Sequence, residues 1–167
     1  MVGYWETWGT MKLTQINPAY NVIDIAFAVT KGSSMFDMEM ASFSNYTKTD
    51  FLNDIDKLHA QKKVVILSIG GANDPVFINS ASEKATFISS MNKIFTDYSD
   101  KFDGIDIDLE AASIKKFAGT WTMTSPVAQQ QYLIDAIKQI ISDYKTRTGK
   151  RLLLTMAPET YYVQGGL

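Results

Sequence analysis

Five stretches of this chain carry the pattern of strands, and amphipathic segments lie between them. Val2–Trp8 is short and aromatic-rich and is punctuated by Gly9. Asn21–Thr30 (NVIDIAFAVT), Lys63–Gly71 (KVVILSIGG) and Arg151–Met156 (RLLLTM) are almost wholly apolar, as strands buried on both faces of a parallel sheet are. Lys101–Ala111 (KFDGIDIDLEA) differs, because Ile105, Ile107 and Leu109 alternate strictly with Asp106, Asp108 and Glu110. Between these runs the period changes to that of a helix. A first helix is capped by Thr47 or Thr49 and reaches about Gln61, with Phe51, Leu52, Ile55 and Leu58 on one stripe. His59 lies beside that stripe near the C-terminal end, where it is expected to face solvent and the helix dipole. A second helix opens with Ser80 and Glu83 as a capping box and carries Phe87, Met91, Ile94 and Tyr98. A third opens with Ser125 as N-cap and Pro126 in the first turn, presents Leu133, Ile137, Ile140 and Tyr144, and ends at Gly149. The polar stretch Lys31–Tyr46 reads as loop.

Strands that alternate with helices, and that are apolar on both faces, imply a parallel sheet with helical crossovers, an α/β fold. An open doubly wound sheet would carry a glycine-rich phosphate loop after its first strand. Here that strand ends in Thr7-Trp8-Gly9. Polar and aromatic residues gather instead at the C-terminal ends of the strands: Trp5 and Glu6, Ser68 with Gly70 and Gly71, Asp108 and Glu110, Met156 and Glu159. A (β/α) barrel builds its active site on that end. Such a barrel takes about 250 residues. Five strands in 167 residues therefore read as roughly five-eighths of one: residues 1–167 are expected to be the N-terminal part of a single barrel domain, with the last strands missing.

Composition narrows the chemistry. A net charge of −2, without a basic cluster, gives no footprint for nucleic acid. No apolar run approaches the ~20 residues that span a bilayer. The absence of cysteine excludes disulfides and thiolate nucleophiles, and a single histidine, His59, leaves no ordinary zinc site. No cofactor is called for. No signal peptide is visible, since Met1 runs straight into the first strand.

The acidic strand is the feature that composition does not explain. Aspartate is disfavoured in strands, and a solvated edge rarely needs three acids in a row on one face. Like charges held together in a closed site cannot all ionise, so protons are shared and at least one carboxyl titrates high, as a general acid requires. The two carboxylates of an ordinary retaining glycosidase flank the scissile bond from different sides. Asp108 and Glu110 approach from the same side. If the reaction is glycoside hydrolysis, the nucleophile is most simply the substrate's own N-acetyl group. Asp108 would orient its amide and stabilise the positive ring formed. That points to polymers of N-acetylglucosamine.

The residues also carry a family resemblance. FDGIDIDLE at Phe102–Glu110 resembles the DGxDxDxE signature of the family-eighteen glycoside hydrolases, the chitinases, and SIGG at Ser68–Gly71 is similar to their SxGG signature. Gly3-Tyr4-Trp5 resembles the first-strand GY pattern, and MAPETYYVQGG at Met156–Gly166 the fifth strand and loop of compact secreted bacterial-type members. The resemblance implies that Glu110 is the acid/base, that Asp108 turns between Asp106 and the substrate acetamide, and that Asp106 holds a shared proton. Tyr4 and Ser68 would hydrogen-bond Asp106. Gly70 and Gly71 would let the sugar approach the backbone, and Trp5, Met156 and Glu159 would wall the site. A sixth-strand tyrosine and an eighth-strand tryptophan of the family pattern would lie beyond Leu167. The implied partner is chitin or a chito-oligosaccharide, and the implied location of the full-length protein is extracellular. The chain alone is expected to be inactive or weakly active, and to self-associate or pair with the missing part. Alternatives that share the motifs are an endo-β-N-acetylglucosaminidase acting on N-glycans and a non-catalytic chitin lectin. Three acids used as oxygen ligands for a divalent metal are a further alternative.

Overall fold

In the computed structural model, residues 1–110, 113 and 128–159 are described. The elements run β1 (Val2–Glu6), a 3-10 turn (Leu13–Gln15), β2 (Val22–Thr30), β3 (Met38–Met40), α1 (Lys48–Ala60), β4 (Val64–Gly70), α2 (Ala81–Asp97), β5 (Gly104–Asp108), α3 (Ala128–Thr148) and β6 (Leu153–Met156). The strands lie side by side in the order β1-β2-β4-β5-β6, and every pair on that path is parallel. Each new strand is added beside the one before it. That single winding direction is the wall of a (β/α) barrel, of which the described residues hold five parallel strands; a doubly wound sheet would reverse its order midway.

The outer face of this wall holds the core. Trp5, Ile23, Ile25, Val65, Leu67, Ile69, Ile105 and Ile107 join Phe51, Ile55 and Leu58 of α1, Phe87, Met91, Ile94 and Phe95 of α2, and Ala136, Ile137, Ile140 and Tyr144 of α3 in one buried cluster. Phe51 is its aromatic centre, with ring centroids 4.5 Å from Phe43 and 5.8 Å from Trp5. Helix starts follow local chemistry. The Thr47 hydroxyl accepts the Asp50 N–H, so Thr47 rather than Thr49 is the N-cap of α1. Ser80 accepts the Glu83 N–H, but the Glu83 carboxylate reaches back to the N–H of Asn79, not of Ser80, so the capping box is offset by one residue. The turn after α3 closes with the Gly149 N–H donating to Lys145 O. The expected start of that helix at Ser125 and Pro126 lies outside the described residues.

Three expectations are corrected. Within the stretch read as loop, Met38–Met40 forms a short strand antiparallel to the end of β2, and the Met38 N–H donates to the Ser90 hydroxyl on α2. Three residues are too few to show a period. β6, read as buried on both faces, is exposed throughout; Leu154 is 53% and Met156 50% accessible. It ends the described sheet and pairs only with β5. His59 is not simply turned to solvent: its Nε2 lies 2.9 Å from Asp103 Oδ2, which also accepts the Val65 N–H at 2.8 Å. This cluster ties α1 to the N-terminal ends of β4 and β5, the end of the wall away from Asp108.

Candidate active site

Because side chains alternate along a strand, the face opposite the core carries Tyr4, Asp24, Ser68, Asp106, Asp108 and Thr155. Register then sets their levels. Tyr4 lies beside Asp24 and Asp24 beside Ile66; one pleat higher Ser68, Asp106 and Thr155 form a row; higher still Gly70 is paired with Asp108. Successive levels are ~6.5–7 Å apart along the strand.

Asp106 is the buried anchor of the group, with 2% of its surface accessible. Three hydroxyls donate to it: Tyr4 at 2.7 Å and Ser68 at 2.8 Å to Oδ2, and Thr155 at 2.8 Å to Oδ1. The expected Tyr4 and Ser68 contacts are therefore present. Thr155 was not anticipated, although a lone polar residue in RLLLTM is the signal that could have found it. Burial, the bond to Asp106 and the charges of Asp106, Asp108 and Asp24 push the Tyr4 hydroxyl well above its ordinary value, so it stays protonated and remains a donor.

Asp108 is half-buried one level up. Burial, and then the charges of Glu110, Asp106 and Glu159, push it up to about 6. Its main chain is fixed, since its carbonyl accepts the Gly71 N–H at 2.7 Å. Glu110 lies two residues past the end of β5, half-exposed, and its carbonyl accepts the N–H of buried Ser113 at 2.8 Å. The row of acids thus begins inside the wall and ends on a pinned turn at its rim. Asp108, Glu110, Tyr4, Glu6, Trp8, Phe27, Gly71 and Asn73 line a cavity of about 280 Å³. A second cavity of about 420 Å³ shares Trp8, Phe27 and Gly71 and runs on to Val29 and Asp74. A larger groove lined by Met38, Ser90 and Tyr98 lies elsewhere, between β3 and α2, and holds none of these carboxylates.

Not every candidate joins the site. Trp5 is 4% accessible on the core side, packed on Phe51 and Tyr46 with its indole N–H on Met11 O, because residues flanking Tyr4 must point the other way. Met156 is in register with Ile107, a core-side residue, so alternation also turns it from the carboxylates. Gly70 and Gly71 are required by the protein itself. At Gly70, φ is +106° and a Cβ would lie 2.1 Å from Asp108 O; at Gly71, φ is +82° and a Cβ would meet the Phe27 ring at 2.9 Å. Glu159 does reach the cluster. It contributes to the field on Asp108, and its Oε2 is buried without a hydrogen-bond partner among the described residues. Trp8 and Phe27, whose rings stack at 6.1 Å, line both cavities, and Trp8 is 53% accessible. Strict alternation would turn Phe27 to the core side with Ile25, and the register shift in β2 between Ile25 and Ala28 accompanies its turn to the cavity. Tyr161, Tyr162 and Trp121, aromatic residues of the chain, lie outside the described residues. Among the described residues, no group of three or more His, Cys, Asp or Glu side chains is placed to hold a metal ion.

A buried, hydroxyl-anchored acid lies beneath a high-titrating aspartate and a rim glutamate, at the C-terminal end of a parallel barrel wall, where barrel enzymes carry their active sites. Residues 1–165 match the model of the Glycosyl hydrolases family 18, and the chain belongs to that family. It is similar to Chitinase Chi52 of Paenibacillus xylanexedens, with 35% identity over 175 residues covering 99% of this chain and 31% of that protein. Its similarity to Chitinase D of Niallia circulans is comparable, 35% over 176 residues covering 99% and 32%. The crystal structure of a family GH18 chitinase from Chromobacterium violaceum aligns with a TM-score of 0.78 at 34% identity, over 99% of this chain and 41% of that one. The chain thus spans about a third of the length of the curated relatives it matches.

Proposed function

We propose that residues 1–167 are the N-terminal part of one chitinase catalytic barrel, which hydrolyses β-1,4-linked N-acetylglucosamine polymers with the substrate's acetamide as nucleophile. The observation that carries this reading is the vertical row Asp106, Asp108, Glu110, with its lowest member held by three hydroxyls and its middle member pushed up to about 6. All three acids come from one strand and the turn after it, so they meet a bound sugar from one side. No carboxylate of this row can then attack from the opposite face, where a retaining enzyme with its own nucleophile needs one.

The steps follow from the positions. Glu110, at the rim and lining the cavity, donates a proton to the leaving glycosidic oxygen. The acetamide oxygen bonds to the anomeric carbon as the glycosidic bond breaks, giving a positively charged oxazolinium ring. Asp108 accepts the acetamide N–H and opposes that charge. Water, deprotonated by Glu110, then opens the ring and returns the proton to the glutamate. Asp106 is the pivot beneath Asp108, held in place by Tyr4, Ser68 and Thr155. Trp8, exposed beside the carboxylates and stacked on Phe27, offers a flat apolar face to a pyranose ring.

The family relation to chitinases supports the substrate; an extracellular location for the full-length protein is part of the same proposal. Chitin or a chito-oligosaccharide is the partner we propose. The exposed strand β6 supports one further reading: its free edge is paired either by later strands of the same barrel or by a second copy of this chain. A strictly monomeric sedimentation profile of the chain at micromolar concentration would remove self-association. The function is tested on the catalytic domain that carries these residues, with a chito-oligosaccharide as substrate. Glu110→Gln is expected to lower kcat by about 10²–10⁴-fold. Activity that survives this change would take Glu110 out of its role.

A further inference from the structure

Asp24 is the one charged residue in the apolar run NVIDIAFAVT, and no step above uses it. It is 3% accessible. It stands in register between Tyr4 of β1 and Ile66 of β4, on the carboxylate face, one pleat below the row of Ser68, Asp106 and Thr155. Its Oδ1 is buried and has no hydrogen-bond partner among the described residues. The donors at this level are already committed: the Tyr4 and Ser68 hydroxyls both point to Asp106 Oδ2. The groups that face Asp24 are Tyr4 from β1, Ile66 and Ser68 from β4, and Asp106 from β5, with Asp108 and Glu110 above them. None is a cation.

An ionised carboxylate with one oxygen buried and without a donor is costly. Of the two buried acids at the foot of the site, Asp106 has the three hydroxyls, and Asp24 has none among the described residues. Resting on the function proposed above, we infer that Asp24 is a positioning residue for that reaction, a fourth carboxyl under the row whose charge tunes how tightly the acids above it hold their proton. In acid it is neutral and the row feels only its own charges. When it ionises, a further negative charge appears beneath Asp106, and the proton on the upper acids is held to higher pH. Burial, and then the charge of Asp106, push Asp24 up to about 6, the same region as Asp108. The two groups therefore titrate as a coupled set, and the working range of the acid is set from below.

The experiment is the pH dependence of kcat/KM on a chito-oligosaccharide, for the catalytic domain carrying these residues and for its Asp24→Asn variant, which keeps the shape and removes the charge. The alkaline limb is expected to move down by about half a pH unit to one unit. Packing alone would lower the whole profile without displacing it, and a limb that stays within about 0.2 units would overturn the inference. A carbon-13 carboxyl titration of the wild-type domain needs neither the variant's folding nor activity. Asp24 titrating near 6 supports the inference, and a midpoint near the ordinary ~3.9 sinks it. A wild-type domain that cleaves no chito-oligosaccharide would instead refute the proposed function, while this titration would still decide whether Asp24 carries its proton.

Discussion

The two faces of β5 are one residue apart and do opposite work. Ile105 and Ile107 face the helices and are buried among Leu67, Ile69 and the aromatic cluster, where exclusion of water stabilises the fold. Asp106 and Asp108 face the other way, into a field of like charge, where burial costs stability and Asp106 needs three hydroxyl donors to offset it. Strand alternation keeps the two apart. The helix-side face makes the wall firm enough to hold charges that would otherwise separate or bind water.

That contrast can be broken from either side. The largest effect is expected at the core: Phe51→Ala removes a fully buried ring and should cost about 3–5 kcal/mol in denaturant unfolding. In the variant that remains folded, the carboxyl midpoint of Asp108 should stay near 6, because no charge has changed; a displaced midpoint would show the faces to be coupled.

On the carboxylate side the sign is reversed. Asp24 holds its proton to about 6 when folded, against 3.8 when unfolded, so its contribution to stability is fully present below pH 3.8 and is lost as pH rises through about 6. Asp24→Asn should leave stability at pH 3.5 nearly unchanged and raise it at pH 8 by up to about 3 kcal/mol. A variant less stable than wild type at pH 8 would contradict an Asp24 that ionises at a cost in the folded state. Tyr4→Phe removes one of three donors from Asp106 and should cost about 1–2 kcal/mol, with a fall in kcat larger than any change in KM. An unchanged kcat would make that bond merely structural. The smallest effect belongs to His59, whose partner Asp103 is a third exposed at the far end of the wall: His59→Gln should cost less than about 1 kcal/mol and leave the pH profile of activity in place.

Much of this was legible in the chain. The strict alternation of Ile105, Asp106, Ile107, Asp108, Leu109 and Glu110 defines two faces without any tertiary information, and nearest-neighbour repetition of strand and helix implies the parallel wall. Thr47 and Ser80 mark their helix starts through local hydrogen bonds. Other features depend on partners distant in sequence. Met38–Met40 is a strand only because the end of β2 offers it an edge, and β6 is exposed because, among the described residues, it has a neighbour on one side.

Sequence by itself determined which residues share a face, because the period of a strand is a property of the backbone, and it thereby determined that three acids would stand in one row. Only the tertiary structure decided what that row meets. Register across five strands put Tyr4, Ser68 and Thr155 on Asp106, set Asp24 beneath it with no donor to its Oδ1 among the described residues, and turned Trp5 and Met156 away, since pairing between strands fixes levels that no single segment encodes.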